Sequence, residues 1–359
     1  MQTIDFQTRT RLVFGPGVLS RLPEFVHGKS VLLVLDPALI DQAEYVRELL
    51  HPAKVTVFAE ISPNPDTALI ARGAEFAKSA NPDFIVGFGG GSAMDTAKGI
   101  NFVLTNGGAI GDYVGYGKAA LPLLPSVGIP TTAGTGSEAQ SYCVVSDADS
   151  HKKMACGDPK AAFQVALLDP ELTLTLPGDV TAAAGYDAVS HAVESYVCTK
   201  ANAVSRGFGR EAFRVLDASL ERVLAQPEDI EARGAMLLGA HLAGLSIENS
   251  MLGAAHACAN PLTAWFGTTH GVAIGMLLHH VARWNSAQAD YSTLYPSGLP
   301  ERLKDLASAA GMPSKLELAG VSSGTLPMLA DDAAEQWTGQ FNPRKFDKRA
   351  ALEIYQCAY

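Results

Sequence analysis

The chain has 359 residues, of which 47% are hydrophobic and 18% charged, and its formal net charge is −10. This length predicts two domains with a large buried core. The acidic balance argues against nucleic acid and acidic membrane surfaces as partners. The apolar stretches all fall short of the roughly 20 residues of a membrane span, so we expect no membrane partner.

The N-terminus and the cysteines together predict a cytoplasmic location. Residues 1–6 lack the basic and apolar pattern of an export signal. The five cysteines are widely scattered, odd in number and free of CxxC pairs, which favours reduced thiols over a disulfide framework.

Short β-rich runs alternate with helical stretches in the first half of the chain. The predicted strands are Ser30–Leu35, Lys54–Phe58 and Phe84–Phe88, and the predicted helices are Ile40–Leu50, Pro65–Ala80 and Ser92–Leu104. Thr10–Gly15 is predicted as an additional edge strand. Repeated β-then-α units favour an α/β domain with a parallel, doubly wound (Rossmann-like) sheet.

The pattern changes near residue 181, where alanine-rich helical periodicity replaces the strand signals. Predicted helices there include Glu211–Leu224, Ile230–Ser246 and Leu303–Ala310. We place the boundary at the turn signal around Gly178. The prediction is an α/β domain over residues 1–178 and an all-helical domain over residues 179–359.

Three consecutive glycines, Gly89, Gly90 and Gly91, follow the predicted strand that ends at Phe88. Such a loop lets backbone N–H groups approach a phosphate at the start of a helix. We interpret Ser92 and Asp95 as an S-x-x-D helix cap. A tight turn between strand and helix is an equally open reading of the glycines.

A second loop, Ile129–Glu138, combines hydroxyl groups with glycines after an apolar stretch. Its donors suit a ribose or an amide ring as well as a phosphate, although a polar turn that satisfies its own backbone remains the alternative. Asp36 ends the first strand and can accept from ribose hydroxyls, which favours NAD over NADP. A turn or helix-cap role explains Asp36 equally well.

Four side chains in the helical half suggest a metal site. Asp187 and His191 are four residues apart and therefore project from one helix face, and His256 and His270 follow further along the chain. One carboxylate and three imidazoles suit Fe²⁺ or Zn²⁺. A single histidine is more often structural than a ligand, so the spacing leaves both readings open.

These motifs resemble the iron-containing (group III) alcohol dehydrogenase family, and the resemblance extends along essentially the whole chain. The matching segments are Phe14–Gly17, Asn64-Pro65, Gly89–Ser92 with Asp95 and Lys98, Pro130–Glu138, Asp169-Pro170, Gly185–Glu194, Gly253–His256, His270-Gly271, Asn285 and Asn342–Arg344. We expect the chain to be essentially complete.

The resemblance implies a role for individual positions. It implies cofactor binding by Asp36, Asn64, Gly89, Gly90, Gly91, Ser92, Asp95, Thr131, Thr132, Thr135 and Lys153. Among these, the glycines and Ser92 would hold the pyrophosphate, Lys153 the ribose, and Asn64 would lie near the nicotinamide. It also implies that Asp187, His191, His256 and His270 hold the divalent metal, with Fe²⁺ expected before Zn²⁺. A homodimer is a further expectation from the family.

Two positions bear on the chemistry. Better-known members of the family often carry a histidine four residues after the third ligand, where this chain has Asn260, so a proton relay through that position is in doubt. Maleylacetate reductases are similar in length, work without a metal and typically have asparagine where this chain has Asp187. The aspartate argues against that activity.

The resemblance therefore implies a metal-dependent NAD(H) alcohol dehydrogenase that transfers hydride reversibly between a small alcohol or diol and NAD, with the metal as Lewis acid. The alternatives are a maleylacetate reductase or glycerol dehydrogenase-like enzyme, more remotely a lyase of the dehydroquinate synthase type, and a non-catalytic metal- or nucleotide-binding protein.

Overall fold

A computed structural model describes residues 4–150 and 152–359. The chain divides into two compact units. The first contains Gln7–Thr132 and Gly136–Thr173, and the second contains Ala133–Thr135 and Leu174–Tyr359. The predicted boundary near Gly178 stays a prediction.

The first unit is built on a parallel sheet, which confirms the predicted α/β class. Its strands are β1 (Arg11–Phe14), β2 (Ser30–Leu35), β3 (Lys54–Phe58), β4 (Phe84–Gly89), β5 (Gly115–Tyr116), β6 (Ser126–Pro130), β7 (Tyr142–Ser146), β8 (Lys153–Gly157) and β9 (Val165–Leu168). Its helices are α1 (Gln42–Leu50), α2 (Thr67–Ala80) and α3 (Gly91–Asn106). The main sheet has the order β1-β9-β6-β4-β2-β3, with every neighbouring pair parallel. The predicted edge strand at Thr10–Gly15 is β1.

The burial of this sheet explains the strand sequences. In β2 the five residues Val31–Leu35 are all buried, because side chains on both faces of the sheet pack against a hydrophobic core. A parallel sheet covered on both faces gives a nearly continuous apolar run instead of an alternating one. A smaller sheet pairs β8 with β5 in parallel and with β7 antiparallel.

The second unit is helical, and its described residues contain no β-strand. Its helices are α4 (Gly178–Val197), α5 (Ala203–Ala225), α6 (Ile230–Glu248), α7 (Ala254–Phe266), α8 (His270–Asn285), α9 (Leu299–Ala309), α10 (Leu326–Glu335) and α11 (Lys348–Ala358). Their apolar faces form one large core. No helix in the described part of the chain is long and apolar enough to cross a bilayer.

Candidate metal centre and cofactor loops

Helix α4 supplies two of the predicted ligands. Asp187 and His191 lie one turn apart and are both 5% exposed. The sequence around them is rich in alanine and valine, which favours a helix whose polar residues lie together on one face.

The other two imidazoles come from the first turns of α7 and α8. His256 is the third residue of α7, and His270 is the first residue of α8. The following residue, Gly271, packs against the backbone of α4 so closely that a Cβ there would be 2.1 Å from the carbonyl oxygen of Ala183. Only glycine permits this approach, which brings the start of α8 to the middle of α4.

The four side chains meet around one carboxylate oxygen. Asp187 Oδ1 lies 3.5 Å from His191 Nε2, 3.6 Å from His256 Nε2 and 3.7 Å from His270 Nε2. The Nε2 atoms of His191 and His256 are 3.1 Å apart. Metal–ligand bonds of about 2.1 Å in a tetrahedral site separate neighbouring donors by about 3.4 Å, which agrees with these distances.

The donor set also fits a cation because a buried acceptor is left unsatisfied. Asp187 Oδ1 accepts no hydrogen bond from the described residues. A buried carboxylate oxygen without a donor is costly unless a proton or a cation satisfies it. The arrangement is therefore that of a divalent metal site with nitrogen and oxygen ligands.

The buried charges depend strongly on one another. Burial opposes the ionisation of Asp187, but the attraction of His191 and the other imidazoles outweighs burial and lowers its pKa. Burial also opposes protonation of His256, yet its pairing with Asp187 and Glu194 outweighs burial and raises its pKa to about 9. For His191, burial prevails and lowers the pKa.

Glu194 is a functional candidate that the sequence reasoning missed. One of its oxygens lies 2.5 Å from His256 Nδ1, and the other accepts from Ala255 N at 2.7 Å. A carboxylate only accepts, so Nδ1 carries the proton and Nε2 offers its lone pair to the centre. The position of Glu194, three residues after His191 on the same helix face, was the signal available in the sequence.

An amide network secures the start of α7. Asn342 Oδ1 accepts from Ala254 N at 3.2 Å and from Asn285 Nδ2 at 3.0 Å, and Asn342 Nδ2 donates to Asn285 Oδ1 at 2.7 Å. These contacts account for two of the segments that carried the resemblance, Asn285 and Asn342–Arg344.

The predicted cofactor residues lie in the first unit, apart from Thr135, which belongs to the second. In the sheet, β2 is bonded to β3 on one side and to β4 on the other, so the strand order reverses between β2 and β4. Ligands of open α/β sheets bind at such a reversal, beyond the carboxyl ends of the strands. Asp36 and the three glycines lie at this point.

Contacts between neighbouring strand ends bring the loops together. Asp36 N donates to Phe88 O at 3.0 Å, and Thr131 N donates to Gly89 O at 2.9 Å. Gly89 has a φ of 149°, and a Cβ on it would lie 2.7 Å from Asp36 Cβ. A Cβ on Gly90 would lie 3.3 Å from Thr132 Cγ2. The glycines therefore leave room for a ligand group between Asp36 and Thr132.

The predicted S-x-x-D cap is wrong. Helix α3 begins at Gly91, and its N-cap Gly90 makes no side-chain cap. Asp95 instead accepts from Ser137 Oγ at 2.6 Å and from Val144 N at 3.2 Å. Its carboxylate was drawn to these donors in the following loop because they are buried and need an acceptor. Burial raises the pKa of Asp95, against the opposing charges of Lys98 and Lys153.

The remaining cofactor candidates are placed as follows. Ser92 is in the first turn of α3, Lys153 begins β8, and Asn64 lies in the loop before α2 with a φ of 53°. Asp36 Oδ1 accepts from Ala38 N at 3.0 Å, so the turn role considered for this residue is present. Its role toward a ribose stays a prediction.

Family models give the family of the chain. The model of iron-containing alcohol dehydrogenases matches residues 9–170, and the model of the family's C-terminal domain matches residues 181–294. The chain belongs to the iron-containing alcohol dehydrogenase family. The family predicted from the sequence motifs is thus confirmed.

Individual relatives agree with this family. Alcohol dehydrogenase 4 of Schizosaccharomyces pombe is 38% identical over 281 residues, which cover 76% of this chain and 67% of the relative. The NAD-dependent methanol dehydrogenase of Bacillus methanolicus is 34% identical over 340 residues, 89% of each chain. The crystal structure of a 1,3-propanediol oxidoreductase superposes with a TM-score of 0.94 at 30% identity and covers 100% of both chains.

Proposed function

We propose that this chain is a metal-dependent NAD(H) alcohol dehydrogenase that interconverts a small alcohol or diol and the corresponding aldehyde or ketone. Its family consists of oxidoreductases that act on CH–OH groups. The observation that carries the proposal is the unsatisfied Asp187 Oδ1, surrounded by three imidazole nitrogens at 3.5–3.7 Å.

Asp187, His191, His256 and His270 would hold the divalent cation, which we take to be Fe²⁺, with Zn²⁺ as the alternative for the same donor set. A cation bound there supplies Lewis acidity toward an alcohol oxygen. The protein contributes the rest. Glu194 holds His256 in the tautomer that presents Nε2, and the low exposure of Asp187, His191 and His256 limits competing water.

The cofactor proposal depends on the carboxyl edge of the parallel sheet. Gly90 and the start of α3 would receive the pyrophosphate of NAD, because free N–H groups of a helix N-terminus bind anions. Asp36 would accept from the adenosine ribose and repel the 2′-phosphate of NADP. The NAD-dependent methanol dehydrogenase supports this choice of cofactor.

The test is an NAD⁺ reduction screen over short alcohols and diols with Fe²⁺, Zn²⁺ or no ion added to protein stripped of metal. We expect activity only with a divalent ion. His270→Ala should lose turnover and metal while NADH still binds. Full turnover by protein shown to be metal-free by elemental analysis would refute the proposal and favour a maleylacetate reductase-like enzyme.

Two finer predictions remain open to measurement. The homodimer is tested by light scattering, and the cytoplasmic location by fractionation of cells that express the protein.

A further inference from the structure

Asn260 lies one turn beyond His256 on α7, at the position where better-known family members have a histidine. The side chain is nine-tenths buried, with an exposure of 9%. Its Nδ2 donates to Gln336 Oε1 at 3.1 Å. The orientation of this amide decides whether Asn260 offers a donor or an acceptor to its surroundings.

That orientation is fixed by a chain of groups that ends on Asp332. Gln336 Nε2 donates to Asp332 Oδ1 at 3.1 Å, and Trp265 Nε1 donates to Asp332 Oδ2 at 2.9 Å. A carboxylate only accepts and an indole N–H only donates. Gln336 must therefore turn its NH₂ to Asp332 and its oxygen to Asn260. Asn260 must in turn direct its own NH₂ to Gln336.

The carbonyl oxygen of Asn260 is left over. Asn260 Oδ1 accepts no hydrogen bond from any described residue. A buried amide oxygen without a donor is costly, so a ligand that donates to it gains free energy. The two side chains leave α7 about 5.4 Å apart along the helix axis. A substrate whose reacting oxygen lies at the His256 end therefore meets Asn260 with a different atom.

We propose that Asn260 is a specificity-determining residue that accepts a hydrogen bond from a second hydroxyl group of the substrate, so that the enzyme favours diols over simple alcohols. The Gln336–Asp332–Trp265 chain fixes this acceptor. The inference rests on the proposed alcohol dehydrogenase activity and names the substrate class of that site.

Three alcohols of similar size separate the possibilities. 1,3-Propanediol offers a second O–H donor, 3-methoxy-1-propanol offers only an acceptor, and 1-butanol offers neither. The holoenzyme should have a higher kcat/KM for the diol than for the other two. Asn260→Leu should lower the ratio of diol to 1-butanol about fivefold, the value of one net hydrogen bond.

Asp332→Asn gives the sharper test, because it should reverse the polarity of the chain. The Trp265 N–H still needs an acceptor, so the new amide turns its oxygen to Trp265 and its NH₂ to Gln336. Gln336 then donates to Asn260, and Asn260 presents its NH₂ to the substrate. The ratio of diol to 3-methoxy-1-propanol should therefore fall. Asp331→Asn is the matched control, because Asp331 is exposed and pairs with Lys348 instead.

The outcomes are distinguishable. Ratios that fall in Asn260→Leu and Asp332→Asn but not in Asp331→Asn, with the Kd for NADH unchanged in all three, support the inference. Unchanged ratios overturn it while leaving the alcohol dehydrogenase intact, and so does an effect confined to the KM for NAD⁺. If the wild-type protein reduces NAD⁺ with no alcohol, the proposed function fails and the inference fails with it.

Discussion

Gly271 allows the first turn of α8 to touch α4, and Gly271→Ala tests whether this contact places His270. The added Cβ would lie 2.1 Å from Ala183 O and 2.6 Å from Ala183 C, whereas Cβ contacts essentially never fall below 3.0 Å. The obstacle is backbone, so it cannot rotate away. The start of α8 must therefore move by about 0.9 Å, the difference between 3.0 and 2.1 Å.

This displacement sets the size of the effect. His270 is the neighbouring residue, and its Nε2 lies 3.7 Å from Asp187 Oδ1. A misplacement of about 1 Å at a reacting centre costs about 100-fold in rate. We therefore expect Gly271→Ala to lower kcat/KM about 100-fold and to weaken metal retention, with a lower Tm because the backbone contact is strained.

The assay measures NADH formation with a saturating divalent ion, metal content by elemental analysis after gel filtration, and Tm. Gly207→Ala in α5 is the matched control, because no atom lies within 4 Å of its added Cβ. We expect this control to keep activity and metal, with an unchanged or higher Tm. If Gly271→Ala retained half of the wild-type activity and metal, the packing argument would be wrong.

Three further predictions follow from contacts described above. Glu194→Gln should weaken metal binding about 10–100-fold in a chelator competition, because an amide cannot accept from both His256 and the backbone. Asp36→Ser should raise the ratio of kcat/KM for NADP⁺ to that for NAD⁺ at least about tenfold, because the repelling charge is removed. Burial lowers the pKa of both His279 and His280 to about 4, below their value in the unfolded chain. The unfolded chain therefore takes up protons first as the pH falls from about 6.5 to 4, and urea unfolding should show stability lost over this range, by at most about 1.4 kcal/mol per pH unit for each histidine.

Each of these has a clear contrary result. Glu211→Gln, an exposed change, serves as the control for Glu194→Gln, and equal metal affinity in both would remove Glu194 from the site. An unchanged cofactor ratio in Asp36→Ser would leave this residue only its turn role. A pH dependence unaltered in the double variant His279→Gln/His280→Gln would assign the loss of stability to other groups.

The local parts of the fold could be predicted from the sequence, because they depend on short-range pattern. The strand Lys54–Phe58 was predicted to the residue, and the placement of Asp187 and His191 on one helix face followed from their spacing. The convergence of His256 and His270 on them was beyond the reach of spacing alone. It depends on the backbone contact between Gly271 and Ala183, which joins positions 88 residues apart.

The errors and omissions concern side chains with more than one partner within reach. Ser92 and Asp95 match a helix cap, yet Asp95 is bonded to Ser137 and Val144, because tertiary donors compete with the local one. Glu194 and Asn342 were invisible as a pair of supports, since their common target, the first turn of α7, is formed only when distant segments meet.

The hold of Asn342 on Ala254 has a consequence for how the protein matures. All four proposed ligands have been synthesised once residue 270 leaves the ribosome, yet the helix that carries His256 is secured by an amide that arrives more than 70 residues later. A nascent chain stopped before Asn342 therefore has the donors without the clamp. Loading with iron is accordingly a late event in biogenesis, after translation has nearly finished.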